Sequence, residues 1–189
     1  MRGRYVSNCD GEDRAMTLSL AMSAWNELHP LVVHFPIALL LVAPLFVLMG
    51  ALWPRRTGLY FLGCALILIS VGTLAIFVSL STGEASSKAI VQTPALASRI
   101  GQHEDLAETT AWVFLSLTAI FSAMFYGLVL VQKKGESPLA RSLPLIYLVL
   151  YVAGAVLLVQ TAHRGGQLVH EFGVHAKVSG QPSSAASLH

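Results

Sequence analysis

The sequence predicts an all-α integral membrane protein: a four-helix bundle with both termini on the outer, periplasmic side. Three observations carry this. The 189 residues are 54% hydrophobic and only 12% charged, with a mean hydropathy of +0.65, too apolar for an ordinary soluble domain. Four runs, at about 28–53, 58–81, 106–132 and 143–162, reach or approach the roughly 20 apolar residues that cross about 30 Å of hydrocarbon. None of them alternates at period two, so each reads as a helix and not as a barrel strand.

The basic residues set the expected orientation. Arg55 and Arg56 lie between the first two spans, and Lys133, Lys134 and Arg141 between the last two. Both loops are expected in the cytoplasm, which puts the termini and the link at 82–102 outside. Residues 28–176 form the expected transmembrane domain. The N-terminal stretch 1–27 reads as a flexible tail and 177–189 as a disordered one, the latter being rich in small polar residues. The first span is expected to direct the chain to the membrane, since 16–24 is too weakly apolar for a separate signal peptide. A net charge of +2 spread over the loops points neither to nucleic acid nor to a lipid-binding polybasic patch.

The first span opens with His29, Pro30, His34 and Pro36. Pro30 suits a first helical turn, where a missing N–H has no intrahelical partner, while Pro36 and Pro44 fall inside and free backbone carbonyls. His34 is about 7–8 Å deeper than His29 at 1.5 Å per residue and about 140° round the helix from it. The two are therefore not expected to grip one ion. Depth makes His34 the most buried histidine of the reading, either satisfied by a neighbouring polar group or acting on a ligand or a proton. His29 reads as a boundary residue.

The second span carries Cys64, which has no plausible disulfide partner in Cys9. The third opens with His103, Glu104, Asp105 and Glu108, where acidic residues are expected to start a helix by complementing its positive end. Glu104 and Glu108 have a second reading, as acceptors that orient a ligating imidazole. The fourth closes with His163, Arg164, Gly165 and Gly166, which read as a C-terminal stop. That leaves His170 and Glu171 just beyond it, where the chain is expected to fold back over the bundle. Gly72, Ala75, Ala119, Ala123, Gly154 and Ala155 allow close helix approach.

All seven histidines avoid the two basic loops, and five gather at the outer ends of the spans. Imidazole is a good axial ligand for haem iron, and helix bundles hold such ligands inward from facing helices. The cofactor-binding candidates are therefore His29, His34, His103, His163 and His170. The iron ligands are expected from His34, His103 and His163, with Glu104, Glu108, Glu171 and Arg164 behind them. Phe35, with either Trp112 or Phe114, is expected to line the macrocycle. The cofactor expected is haem b; zinc or copper is the weaker variant, since no cysteine is suitably placed. With no histidine near the other face, such a haem serves one side of the membrane.

Two alternatives remain beside it: a non-enzymatic structural or assembly subunit whose histidines form a polar network, and a transporter or proton relay. The last is disfavoured by the lack of a carboxylate or lysine near the middle of any span. Ser70, Ser79, Ser116 and Ser122 are isolated on apolar helices and make no nucleophile constellation.

The segments HPLVVHFPIALLL, HEDLAETTAWVF and HRGGQLVHEFGV resemble those of bacterial four-helix membrane proteins grouped as a domain of unknown function. The resemblance covers 28–176, and its HPxxVHFP and GGxLV motifs are specific together. Relatives often carry tyrosine at the position of His170 and histidine at that of Phe172, so the chain departs there. Some relatives are joined to or accompany c-type cytochrome domains. The resemblance thus implies a bacterial inner-membrane protein, the lipid bilayer as its surroundings, and a c-type cytochrome or other respiratory subunit as partner.

Overall fold

In the computed structural model the described residues are 9–88, 93–131 and 138–172, with side chains described for 29, 32–54, 56–88, 93–131 and 142–170. The helices are α1 (Cys9–Leu52), α2 (Arg55–Lys88), α3 (Pro94–Val131) and α4 (Pro138–Phe172). Each contains a stretch long and apolar enough to cross a membrane. Consecutive helices pack on one another and α4 closes back on α1, whereas α1 and α3, like α2 and α4, share no contact among the described residues. The bundle is therefore a four-cornered ring in chain order.

Three of the four turn-side boundaries match the apolar runs closely; α4 starts earlier, at Pro138 where 143 was expected. At the other end every helix runs on. Residues 9–27, expected as a flexible tail, are helical. Between 15 and 28 there is neither glycine nor proline and many alanines, leucines and methionines, so propensity alone carries the helix outward. Pro30 is consequently inside α1 and not at its first turn. The expected link at 82–102 shrinks to a short connection, because α2 persists to Lys88 and α3 begins at Pro94. Thr93 caps α3: its hydroxyl accepts the Leu96 N–H at 3.4 Å and its carbonyl the Ala97 N–H at 2.9 Å, with proline in the favoured first position. Glu104, Asp105 and Glu108 are then about 15 Å or more inside the helix, beyond the first turn where the dipole acts. They do not initiate it.

The core is a stripe at spacings of three and four on each helix. Leu40, Ala43 and Val47 meet Leu62, Ala65 and Ile69 between α1 and α2, and Phe114, Phe121, Tyr147 and Tyr151 fill the α3–α4 side. Aromatic edges organise the latter, with Phe114 and Tyr151 T-shaped at 5.6 Å. Glycines bring the hairpin partners together. A Cβ at Gly72 would lie 2.7 Å from Leu40 Cγ, one at Gly154 2.7 Å from Leu117 Cδ1, and one at Gly58 2.6 Å from the Gly50 carbonyl oxygen. The last is backbone against backbone, the closest kind of helix approach. Ala119 and Ala123, expected to act in the same way, are exposed.

Proline inside the bilayer leaves a specific debt in α1. Pro44 has no N–H to give the Leu40 carbonyl, and Tyr151 Oη on α4 donates to that carbonyl at 2.8 Å from a fully buried position. Thr73 and Thr118 join α2 to α3 through their hydroxyls at 2.8 Å. Outward from this core, Leu45, Ile67, Leu74, Val149 and Tyr60 are exposed, as expected of helix faces that meet lipid.

Candidate functional site

Where the four helices continue past the core they enclose a cavity of about 600 Å³. Its floor is apolar, built by Ile37, Ile76, Phe77, Leu80, Ala111 and Leu158, and its upper wall carries His29, His34 and His103 with Glu84, Glu104 and Glu108. The level follows from helix rise. His29, Gly83, His103 and Gly165 stand 23 to 28 residues from the turn-side ends of their helices, which is about 35–42 Å at 1.5 Å per residue, against about 30 Å of hydrocarbon. The histidines thus sit at the water boundary while the floor reaches the hydrocarbon.

His29 is held by two consecutive residues of α2. Its Nδ1 lies 3.0 Å from Thr82 Oγ1, and its ring packs over Gly83, where a Cβ would come within 3.0 Å of Cε1. His103 repeats the arrangement in the second hairpin. Its ring packs over Gly165 of α4, with a hypothetical Cβ 3.1 Å from Cε1, and the Thr161 backbone is its hydrogen-bonding neighbour. His103 Nδ1 is buried and has no hydrogen-bond partner among the described residues. Beside it, Thr110 and Thr161 link α3 to α4 through their hydroxyls at 2.8 Å.

The expected ligand set is therefore regrouped. His34, expected as the most buried, is exposed, although it still borders the cavity; it stands one residue off the stripe that carries Val33 and Pro36. His163 and His170 are exposed and do not line the cavity. The reason is that α4 does not stop at Gly165 and Gly166 but continues to Phe172, so these histidines point outward from a regular helix. Gly165 serves close packing under His103 and not a helix stop. A mid-helix glycine costs roughly 1 kcal/mol relative to alanine, set here against the close seat that its bare face gives the imidazole.

The carboxylates divide likewise. Glu104 and Glu108 line the cavity, joined by Glu84, which the sequence did not single out. Glu84 is exposed and accepts from Lys88 Nζ at 2.7 Å, an i,i+4 pair of small energetic weight at such exposure. Arg164 is exposed and outside the cavity lining, and the side chain of Glu171 lies outside the described residues. Phe35 is 55% exposed and faces away, and Phe114 is fully buried below the cavity. Trp112 does line it, edge-on to Phe77 at 6.4 Å and with Nε1 3.4 Å from Glu108 Oε1. His175 and His189 lie outside the described residues.

Among the described residues there is no group of three or more histidine, cysteine or carboxylate side chains arranged to hold a bare metal ion, so the zinc or copper variant has no site there. Ser79, Ser116 and Ser122 donate to carbonyls of their own helices at 2.7–2.9 Å, the usual use of hydroxyls on apolar helices. Cys64 is a free, exposed thiol in α2.

No curated protein and no solved structure matches the chain. A comparison with protein families matches residues 26–178 to the one described as Predicted membrane protein (DUF2231), a stretch that takes in all four apolar segments and every described residue that lines the cavity. The chain belongs to that family of membrane proteins.

Proposed function

We propose that the chain is an electron-transfer subunit of the bacterial inner membrane that holds a b-type haem in the cavity near one face, with His29 and His103 as the imidazoles offered to it. The single observation that carries this reading is the pair of glycine cradles. Two imidazoles from α1 and α3, helices at opposite corners of the ring, are each seated on a glycine backbone, over an apolar cavity floor. A cavity of this volume is within the usual range for small-molecule and cofactor sites. Bound haem supplies a one-electron centre. The chain's own part is to orient the imidazoles, to keep water from the apolar floor, and to set the depth at which a partner exchanges electrons.

That partner is proposed to be a c-type cytochrome or another respiratory subunit on the outer side. The basic residues Arg55, Arg56, Lys133, Lys134 and Arg141 at the turn end support a cytoplasmic turn end and an outer cavity. A reporter enzyme fused after His189 that functions only in the periplasm should be active; a cytoplasm-only reporter active at the same position overturns the orientation. Among the described residues no lysine or arginine lines the cavity, so those walls offer no cation to haem propionates.

The test of the function is the reduced-minus-oxidised visible spectrum of the purified protein after expression with ample haem. Haem bands at near one equivalent per chain are expected. Their absence would leave the second reading, a structural or assembly subunit. That reading is favoured by the interhelical bonds His29–Thr82 and Thr110–Thr161, which tie the helix ends together with no ligand needed.

A further inference from the structure

The hydroxyl of Thr82 has a single proton, and two neighbours stand within reach of it. Thr82 Oγ1 donates to the Ser79 carbonyl at 3.0 Å, and His29 Nδ1 lies 3.0 Å from the same oxygen. With the proton committed to Ser79, the contact with His29 is a hydrogen bond only if Nδ1 carries the hydrogen. We infer that Thr82 is a positioning residue that fixes His29 as the Nδ1–H tautomer and so leaves the ring's lone pair on Nε2.

The setting supports a fixed assignment. Thr82 is 1% exposed, so water does not compete for its lone pairs. Gly83, the next residue, sits against the ring face, with its hypothetical Cβ 3.0 Å from Cε1, 3.5 Å from Nδ1 and 3.6 Å from Nε2. Thr82 thus holds one edge of the imidazole while Gly83 makes room for its face. An imidazole that binds a metal does so through an unprotonated nitrogen, and the bond made by its other N–H fixes which nitrogen that is. In the second hairpin Arg164 occupies the position before Gly165 and has no hydroxyl to offer. The two cradles are therefore alike in shape and different in chemistry. Thr82 offers His29 a side-chain hydroxyl, whereas the hydrogen-bonding neighbour of His103 is the Thr161 backbone.

This role rests on the haem reading for its purpose but not for its test. Long-range proton–nitrogen correlation spectra of the full chain, labelled with ¹⁵N-histidine and held in detergent micelles without added haem, report the tautomer directly. His29, assigned by loss of its signals in His29→Ala, should show a protonated Nδ1 and an unprotonated Nε2. Thr82→Val keeps the shape and removes the hydroxyl; it should convert His29 to a mixture or to the Nε2–H form, and Thr82→Ser should restore the original pattern. An Nε2–H tautomer in the unsubstituted protein overturns the inference, and so does a His29 pattern unchanged in Thr82→Val with helicity retained. A protein that binds no haem but shows the Thr82-dependent tautomer refutes the proposed function and leaves this assignment standing.

Discussion

His29→Ala should abolish the haem bands, while His34→Ala, His163→Ala and His170→Ala should leave them in place. His29 is the imidazole seated on Gly83 with its Nδ1 against Thr82, so its removal takes away an oriented ligand. Loss of an outer-shell partner of a metal ligand usually lowers affinity by about 10–100-fold; loss of the ligand itself should exceed that. His103→Ala should weaken binding, since the second cradle would then be empty of imidazole. The other three side chains are exposed, and helix rotation carries His163 and His170 away from the cavity. Titration of each purified variant with haem, followed by absorbance, decides the matter. Full binding by His29→Ala would sink the assignment, and loss of binding in His163→Ala would restore the arrangement expected from sequence.

The second large effect is on stability. Tyr151→Phe removes the hydroxyl that satisfies the Leu40 carbonyl, which Pro44 cannot reach. A buried acceptor left without a partner costs about 1–3 kcal/mol, and the bilayer offers no water as substitute. The cause can be isolated. Pro44→Ala returns an N–H to position 44 and hence a helical donor to the Leu40 carbonyl, so Tyr151→Phe should cost much less in that background, with a coupling of about 1–2 kcal/mol in the double-mutant cycle. Reversible unfolding in mixed micelles, followed by circular dichroism, measures all four proteins. Equal cost in both backgrounds would show that the Tyr151 hydroxyl does not act by satisfying the carbonyl that Pro44 leaves without a helical donor.

What the sequence revealed and what it concealed have separate physical origins. Hydropathy located the turn-side boundaries because there the apolar run and the helix end together, at Leu52, Arg55 and Val131. It failed at the other end because the helices outlast the hydrocarbon. Glu104, Asp105, His163 and Arg164 were read as helix-end charges, whereas α3 and α4 pass straight through them. Depth along a helix makes His34 the innermost histidine, and depth does not tell which side of a helix faces inward. Spacing does. The buried positions Pro36, Leu40, Ala43, Val47 and Ala51 continue backward through Val33 to His29 in steps of three and four, and His34 is off that line. In α3 the line from Phe114 and Thr110 runs through Ala107 to His103, and in α4 from Tyr151 and Gly154 through Leu158 and Thr161 to Gly165. His163 and His170 each stand two residues beyond a stripe position and face out. Thr82 and Gly83 had no signal of their own, because their role appears only when α2 is laid against α1.

The hairpin of α1 and α2 also bears on how the protein is made. A turn of only Trp53 and Pro54 joins the two helices, and Gly50 with Gly58 and Leu40 with Gly72 lock them along their length. His29 finds Thr82 within the same hairpin. Synthesis from the N-terminus therefore supplies, by Lys88, every residue of these close contacts and of the His29 cradle before α3 is made. His103 has no such early shelter, since Gly165 and the Thr161 backbone arrive only with the last helix. The residues of the two halves of the cavity wall are thus supplied at different times, those of the His29 cradle first.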